Sequence, residues 1–207
     1  MNRIHLLGVA AIGLCLPSFG VAAQRVRLLD PLTAAELRGA EQLARADSQV
    51  RRLIGERRHV LSAISFVALK QELTDTAAPS REPAPLRAAL VVFYVYDGDF
   101  GVRALVDLAR RAVRSAELVE EEPIPMAREE IATAQRLALA DPRLRERLGA
   151  RPEALRVEWL GVRAVDRSDP CYRRRCVQLL FRRDNLFLTR PIVIVDLTGG
   201  TVRMEEP

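Results

Sequence analysis

The chain repeats itself. Pro31 to Gly55 aligns with Pro125 to Gly149 at a constant offset and without a gap. The matched pairs are Pro31/Pro125, Glu36/Glu130, Ala40/Ala134, Leu43/Leu137, Ala44/Ala138, Ala46/Ala140, Asp47/Asp141, Arg51/Arg145 and Gly55/Gly149. The ends of the two halves match as well. Val106-Asp107-Leu108 followed by Val113-Arg114 returns as Val195-Asp196-Leu197 followed by Val202-Arg203. Solenoid repeats have shorter periods, so a repeat of this length is a whole domain. The pattern predicts two copies of one small α+β domain. Two scaffold copies with few reactive side chains point to binding or assembly rather than to catalysis.

Each copy begins with a helix. In the first, Thr33 and Glu36 form a capping box, and Leu32 and Leu37 stand at the positions of a hydrophobic staple. Leu37, Ala40, Leu43, Ala44, Val50, Leu53 and Ile54 make an apolar stripe with some drift, and Gly55 ends it. The second copy keeps the stripe through Leu148. Ala127 replaces the capping threonine, and Pro142 is placed to start a second helical piece after Asp141. Strands follow. Copy one gives 60–69, 88–96, 102–108 and 112–119, with a turn at Asp97-Gly98-Asp99 and a Pro- and Ser-rich loop over 75–85. Copy two gives 154–165, 176–182, 192–197 and 201–205. One helix packed on a curved antiparallel sheet of four strands buries these faces in each copy. The expected organisation is a leader over 1–23, a first domain over 24–120 and a second over 121–207. The acidic, proline-containing stretch 120–125 is the linker.

The leader reads as a secretory signal. It has Arg3, an apolar run to Leu16, and Val21-Ala22-Ala23 at the cleavage positions. The run is shorter than the ~20 residues a bilayer span needs, so no stable membrane span is expected after cleavage. The expected location is periplasmic or secreted. Cleavage removes Cys15, leaving Cys171 and Cys176 as an even pair in an oxidising compartment. Their spacing is not the Cys-x-x-Cys of redox enzymes, and two cysteines alone make a poor zinc site. A disulfide clipping the turn Tyr172 to Arg175 is the reading. The net charge of +5 is almost all arginine, with Lys70 the only lysine. Acidic runs interrupt any basic face, and no nucleic-acid partner is expected.

Candidate site residues are few. Arg173, Arg174 and Arg175 sit on the clipped turn, where three guanidinium groups can grip a carboxylate-rich partner or simply face solvent. Trp159 alternates toward the core, or, if exposed, is an interface anchor. His59 has no nucleophile placed near it by sequence and reads as a surface or capping residue. Asp107 and Asp196 either pair as carboxylates or each accept hydrogen bonds in the turn after a strand, the second being the stronger reading. No serine-hydrolase elbow, phosphate loop or His-Glu-x-x-His is present.

These residues carry a resemblance. Asp30 to Leu37 resembles the opening of the second, cystatin-like domain of copper amine oxidases. Ala89 to Leu108 is similar to that domain's central hairpin. Arg175 to Phe181, Arg190-Pro191-Ile192 and Val195-Asp196-Leu197 are similar to the last strands of the third domain. The resemblance implies the tandem cystatin-like architecture and an association with copper and a quinone cofactor. It does not imply the oxidase activity. The family's chemistry belongs to a long carboxy-terminal domain, which is expected to be absent here. Asp184-Asn185-Leu186-Phe187 has no tyrosine where the cofactor motif requires one. His59 is the single histidine beyond the leader, against three for copper. The expectation is therefore a non-catalytic module without a cofactor of its own, with a protein partner that a separately encoded catalytic chain would fit. Other readings are an accessory or remnant part of an amine oxidase, and a small-ligand carrier. Ile192 to Met204 is also similar to PepSY modules, which implies an inhibitory role.

Overall fold

The computed structural model describes residues 30–69, 86–120, 122–149, 155–184 and 186–205. The leader, the whole of the 75–85 loop and Asn185 lie outside these residues. Among the described residues are four helices and two antiparallel sheets.

The helices show where the stripe drifts. α1 (Ala34–Ala46) starts at the expected capping box: Glu36 donates its backbone N–H to Thr33 Oγ1 at 3.2 Å, and its carboxylate accepts the Thr33 N–H at 2.8 Å. It stops at Asp47, whose carboxylate accepts the N–H groups of Gln49 (2.9 Å) and Val50 (3.0 Å) and thereby starts α2 (Ser48–Ile54). The single helix expected in copy one is thus two. An aspartate that satisfies the first free amides of a new helix competes with continuation of the old one. Copy two breaks at the equivalent place. α3 (Arg128–Ala140) ends at Asp141, which caps α4 (Pro142–Leu148) with proline in its first turn, the start expected at Pro142. Gly55 and Gly149 end the second pieces with φ of 64° and 84°, a region that favours glycine.

The first sheet contains β1 (His59–Leu69), β2 (Leu86–Val95), β3 (Phe100–Asp107) and β4 (Ala112–Val119), side by side in that order. The second contains β5 (Arg156–Val162), β6 (Cys176–Arg183), β7 (Leu186–Phe187), β8 (Ile192–Asp196) and β9 (Thr201–Glu205). Its order is β5-β6-β8-β9, with the short β7 added beside β6. Four strands were expected here. The fifth is two residues long, below the length at which alternation is readable. The first strand of this sheet is also shorter than the 154–165 expected, because its pairing with β6 ends at Val162, opposite Cys176. The connection is a long loop rather than a tight hairpin turn.

Each sheet packs one face on its own helix pair. Ala40, Ala44, Val50 and Ile54 meet Val91, Phe93 and Val102 in the first core. Ala134, Ala138, Leu144 and Leu148 meet Val177, Leu179 and Phe181 in the second. Alanine at matched positions of both first helices brings the helix backbone close to the sheet, so the larger side chains come from the strands. Each such buried Val, Leu or Phe contributes about 1.5–3 kcal/mol. The outer face of the first sheet is not bare. Tyr94 there is 1% exposed, and Gly101 sits so close to the linker that a Cβ would stand 2.5 Å from Ile124 Cδ1. The linker and the start of the second half cover this face. Among the described residues no helix is long and apolar enough to cross a membrane.

Candidate functional site

Among the described residues, the carboxylate of Glu130 accepts four hydrogen bonds. Alanine at position 127 has no side-chain oxygen, so α3 keeps only half of a capping box: the Glu130 carboxylate accepts the Ala127 N–H at 2.8 Å. The rest of its capacity goes to Arg175 and Tyr96. Arg175 donates from Nε and Nη2 to the two carboxylate oxygens, at 3.0 and 2.9 Å. It donates further to the carbonyls of Ile124 (2.9 Å) and Pro125 (2.5 Å), which fixes the linker. The Tyr96 hydroxyl donates to Glu130 at 2.7 Å. Arg175 and Glu130 side chains are 7% and 2% exposed. A pair this buried is tolerable only because every charge has several partners.

Tyr94 and Tyr96 belong to the first half of the chain, Glu130 and Arg175 to the second. The Arg175 guanidinium lies 4.0 Å from the centroid of the Tyr94 ring, and Arg58 lies 4.0 Å from that of Tyr96. Arg58 also donates to the carbonyls of Leu197 (3.1 Å) and Thr198 (2.9 Å), and Ser62 donates to that of Pro125. Burial, reinforced by hydrogen bonds to Asp99 and Glu130 respectively, pushes both tyrosine hydroxyls well above their ordinary range. They remain neutral donors at any ordinary pH. This is a docking joint: its acids and donors are consumed in holding the halves together.

Beside the joint lies a cavity of about 490 Å³. Ile124 of the linker, Met126 just after it and Trp159 of β5 give it apolar walls, and Arg163, Arg174 and Arg175 approach its rim. Arg163 is tied to the linker through the carbonyls of Glu120 (2.8 Å) and Glu122 (3.1 Å). Trp159 is 41% exposed and Leu160, on the opposite face of the same strand, is 53% exposed. β5 is the outermost strand of its sheet along the described path, so an apolar edge faces away from β6.

The structure places the candidate residues as follows. Cys171 and Cys176 form a disulfide with Cα atoms 5.8 Å apart. The three arginines it clips have three different surroundings. Arg173 is exposed with φ of 51°, Arg174 pairs with Asp196 at 2.5 Å, and Arg175 is drawn into the joint. His59 is exposed, its Nδ1 2.9 Å from the Arg57 carbonyl. Asp107 accepts the Arg110 N–H at 2.9 Å, and Asp196 accepts those of Thr198 (2.8 Å) and Gly199 (3.1 Å). Each serves the turn after its own strand, in separate sheets. Among the described residues no three His, Cys, Asp or Glu side chains converge where a metal could sit. The copper implied by the family resemblance therefore does not fit these residues. Sequence reasoning missed Glu130, Tyr94 and Tyr96 as a unit with Arg175. The signal was present in the Glu36/Glu130 match, but the partner arginine lies far along the chain.

No protein-family model matches the chain, and no curated protein matches it by sequence. Solved structures do match in fold. One is a copper-containing benzylamine oxidase from Hansenula polymorpha, similar over 87% of this chain with a TM-score of 0.55 and 19% sequence identity. This chain spans 30% of that chain's length. The likeness shows a shared fold.

Proposed function

We propose that this chain is a periplasmic or secreted, non-catalytic binding or assembly module made of two tandem cystatin-like domains. They would correspond to the amino-terminal region of copper amine oxidases. The observation that carries this reading is the joint. It locks the two halves in one arrangement while β5 keeps Trp159 and Leu160 on an open edge next to it. An open sheet edge on a rigid frame, with an exposed aromatic side chain on it, suits strand addition by a protein partner. The disulfide is compatible with an oxidising compartment. Capture of the tagged protein with crosslinking tests the reading. A stoichiometric partner whose recovery falls at least tenfold in Trp159→Ser supports it. Recovery of the chain alone, under conditions that trap known complexes, overturns it.

The fold likeness to a benzylamine oxidase favours one second reading, an accessory part of a copper and quinone amine oxidase encoded separately. In that case the captured partner contains copper and releases hydrogen peroxide with an amine. A partner without copper removes this reading and leaves the first.

A further inference from the structure

A second cavity, of about 560 Å³, lies on the outer face of the second sheet, away from its helices. Its floor is β8 and β9, through Ile194, Asp196, Thr201 and Arg203, and its wall is the long loop between β5 and β6. The disulfide packs on Ile194 and so pins that loop against the sheet. We propose that this cavity binds a ligand carrying two or more carboxylates, held by Arg167 and Arg203 beside the Arg174–Asp196 pair.

Arg167 and Arg174 from the loop between β5 and β6 and Arg203 from β9 line the cavity, against two aspartates. The aspartates are already engaged. Asp196 accepts two backbone N–H groups on one oxygen and Arg174 on the other. Asp169 accepts the Cys171 N–H at 2.7 Å. Arg203 is the opposite case. Its Nε is buried without a hydrogen-bond partner among the described residues, and its Nη2 stands 3.7 Å from Glu205 and 4.0 Å from Asp169, too far for direct hydrogen bonds. Arg203 therefore keeps donor capacity that its own carboxylate neighbours do not fill by direct hydrogen bonds. Guanidinium forks match carboxylate oxygens in spacing and plane. The volume suits a small ligand or one or two side chains. The hydroxyls of Thr201 and Tyr172 on the same walls add neutral donors.

The carboxylates can come from a free tricarboxylate or from an acidic peptide segment. Calorimetric titration of the oxidised protein at low ionic strength, with tricarballylate and with acetyl-Glu-Glu-Glu-amide, separates the two sources. One-to-one binding is expected for at least one probe, weakening with salt and shifting the Ser168 and Thr201 amide resonances. It should weaken at least tenfold in Arg203→Gln and in Arg167→Gln. The second variant changes an exposed residue and keeps the test valid if the first is unstable. Saturable binding by neither probe, or equal affinity in wild type and Arg167→Gln, overturns the proposal. The site does not depend on the protein partner proposed above. Loss of that partner tracks Trp159, and loss of the anion tracks Arg167 and Arg203.

Discussion

The two halves build the same clamp and use it differently. In the first half, Glu36 at the start of α1 accepts from Arg87 in β2, at 2.7 and 2.9 Å, and Arg87 donates to the carbonyls of Asp30 (2.6 Å) and Pro31 (3.0 Å). In the second half, Glu130, Arg175, Ile124 and Pro125 repeat this arrangement atom for atom in kind. Even the next backbone link recurs: the Leu108 N–H donates to the Arg87 carbonyl, and the Leu197 N–H to that of Arg175. The difference lies in what surrounds the pair. Thr33 completes the first capping box, and Arg87 stacks over Phe66 of its own sheet. Alanine at 127 leaves Glu130 with spare capacity, which Tyr96 of the other half takes, while Arg175 stacks on Tyr94 of the other half. Side-chain exposure falls from 13% and 22% for Arg87 and Glu36 to 7% and 2% for Arg175 and Glu130. A local device for starting a helix became, in the second copy, the joint between the copies.

The largest test of this contrast is Arg175→Met. It leaves the Glu130 carboxylate buried with its counter-charge removed, which costs about 3–5 kcal/mol. Urea unfolding should show the loss, and the double variant with Glu130→Met should recover part of it. A loss below about 1 kcal/mol would mean that water reaches the pair and that the joint is looser than it stands here. Gly101→Ala comes next. The added Cβ would stand 2.5 Å from Ile124 Cδ1, so the Ile124 side chain must move, at about 1–3 kcal/mol. Ile124→Ala in the same chain should relieve most of that, a non-additivity that a strain confined to β3 would not produce. Arg87→Met should cost less than Arg175→Met, about 1–2 kcal/mol, because Glu36 can turn toward solvent. Equal losses in the two arginine variants would break the contrast.

Much of the frame was legible in the residues. The repeat announced two helix-and-sheet units, and the break at Asp47 was written in the Asp47/Asp141 match, although only Pro142 made it readable in copy two. A nearly unbroken apolar and aromatic run located the central strand 88–96, because both faces of β2 are buried, Val91 and Phe93 on the helix side and Val92 and Tyr94 on the other. The joint was not legible. Arg175 stands between two other arginines on an exposed loop, and nothing local distinguishes the one that turns inward. Its direction is set by Glu130 and by the Tyr94 ring, 45 positions away for the former. Trp159 posed the converse problem: its alternation places it on the core side, yet an edge strand leaves that side half open.

The smallest effect separates the clamps by pH. Hydrogen bonds from Arg87 hold the Glu36 carboxyl at about 2, against an ordinary 4.5. As pH falls below about 4.5, the unfolded chain takes up a proton at Glu36 that the folded protein refuses until about pH 2. The contribution of Glu36 to stability is therefore complete above pH 4.5 and declines to nothing as pH falls to about 2. Partial exposure and screening limit it to about 1 kcal/mol. The difference in unfolding free energy between wild type and Glu36→Gln should be constant above pH 5 and vanish near pH 2. A difference that persists at pH 2 would show that Glu36 acts through packing rather than charge. The first clamp would then be no stronger than a neutral one, and the contrast with Glu130 would rest on burial alone.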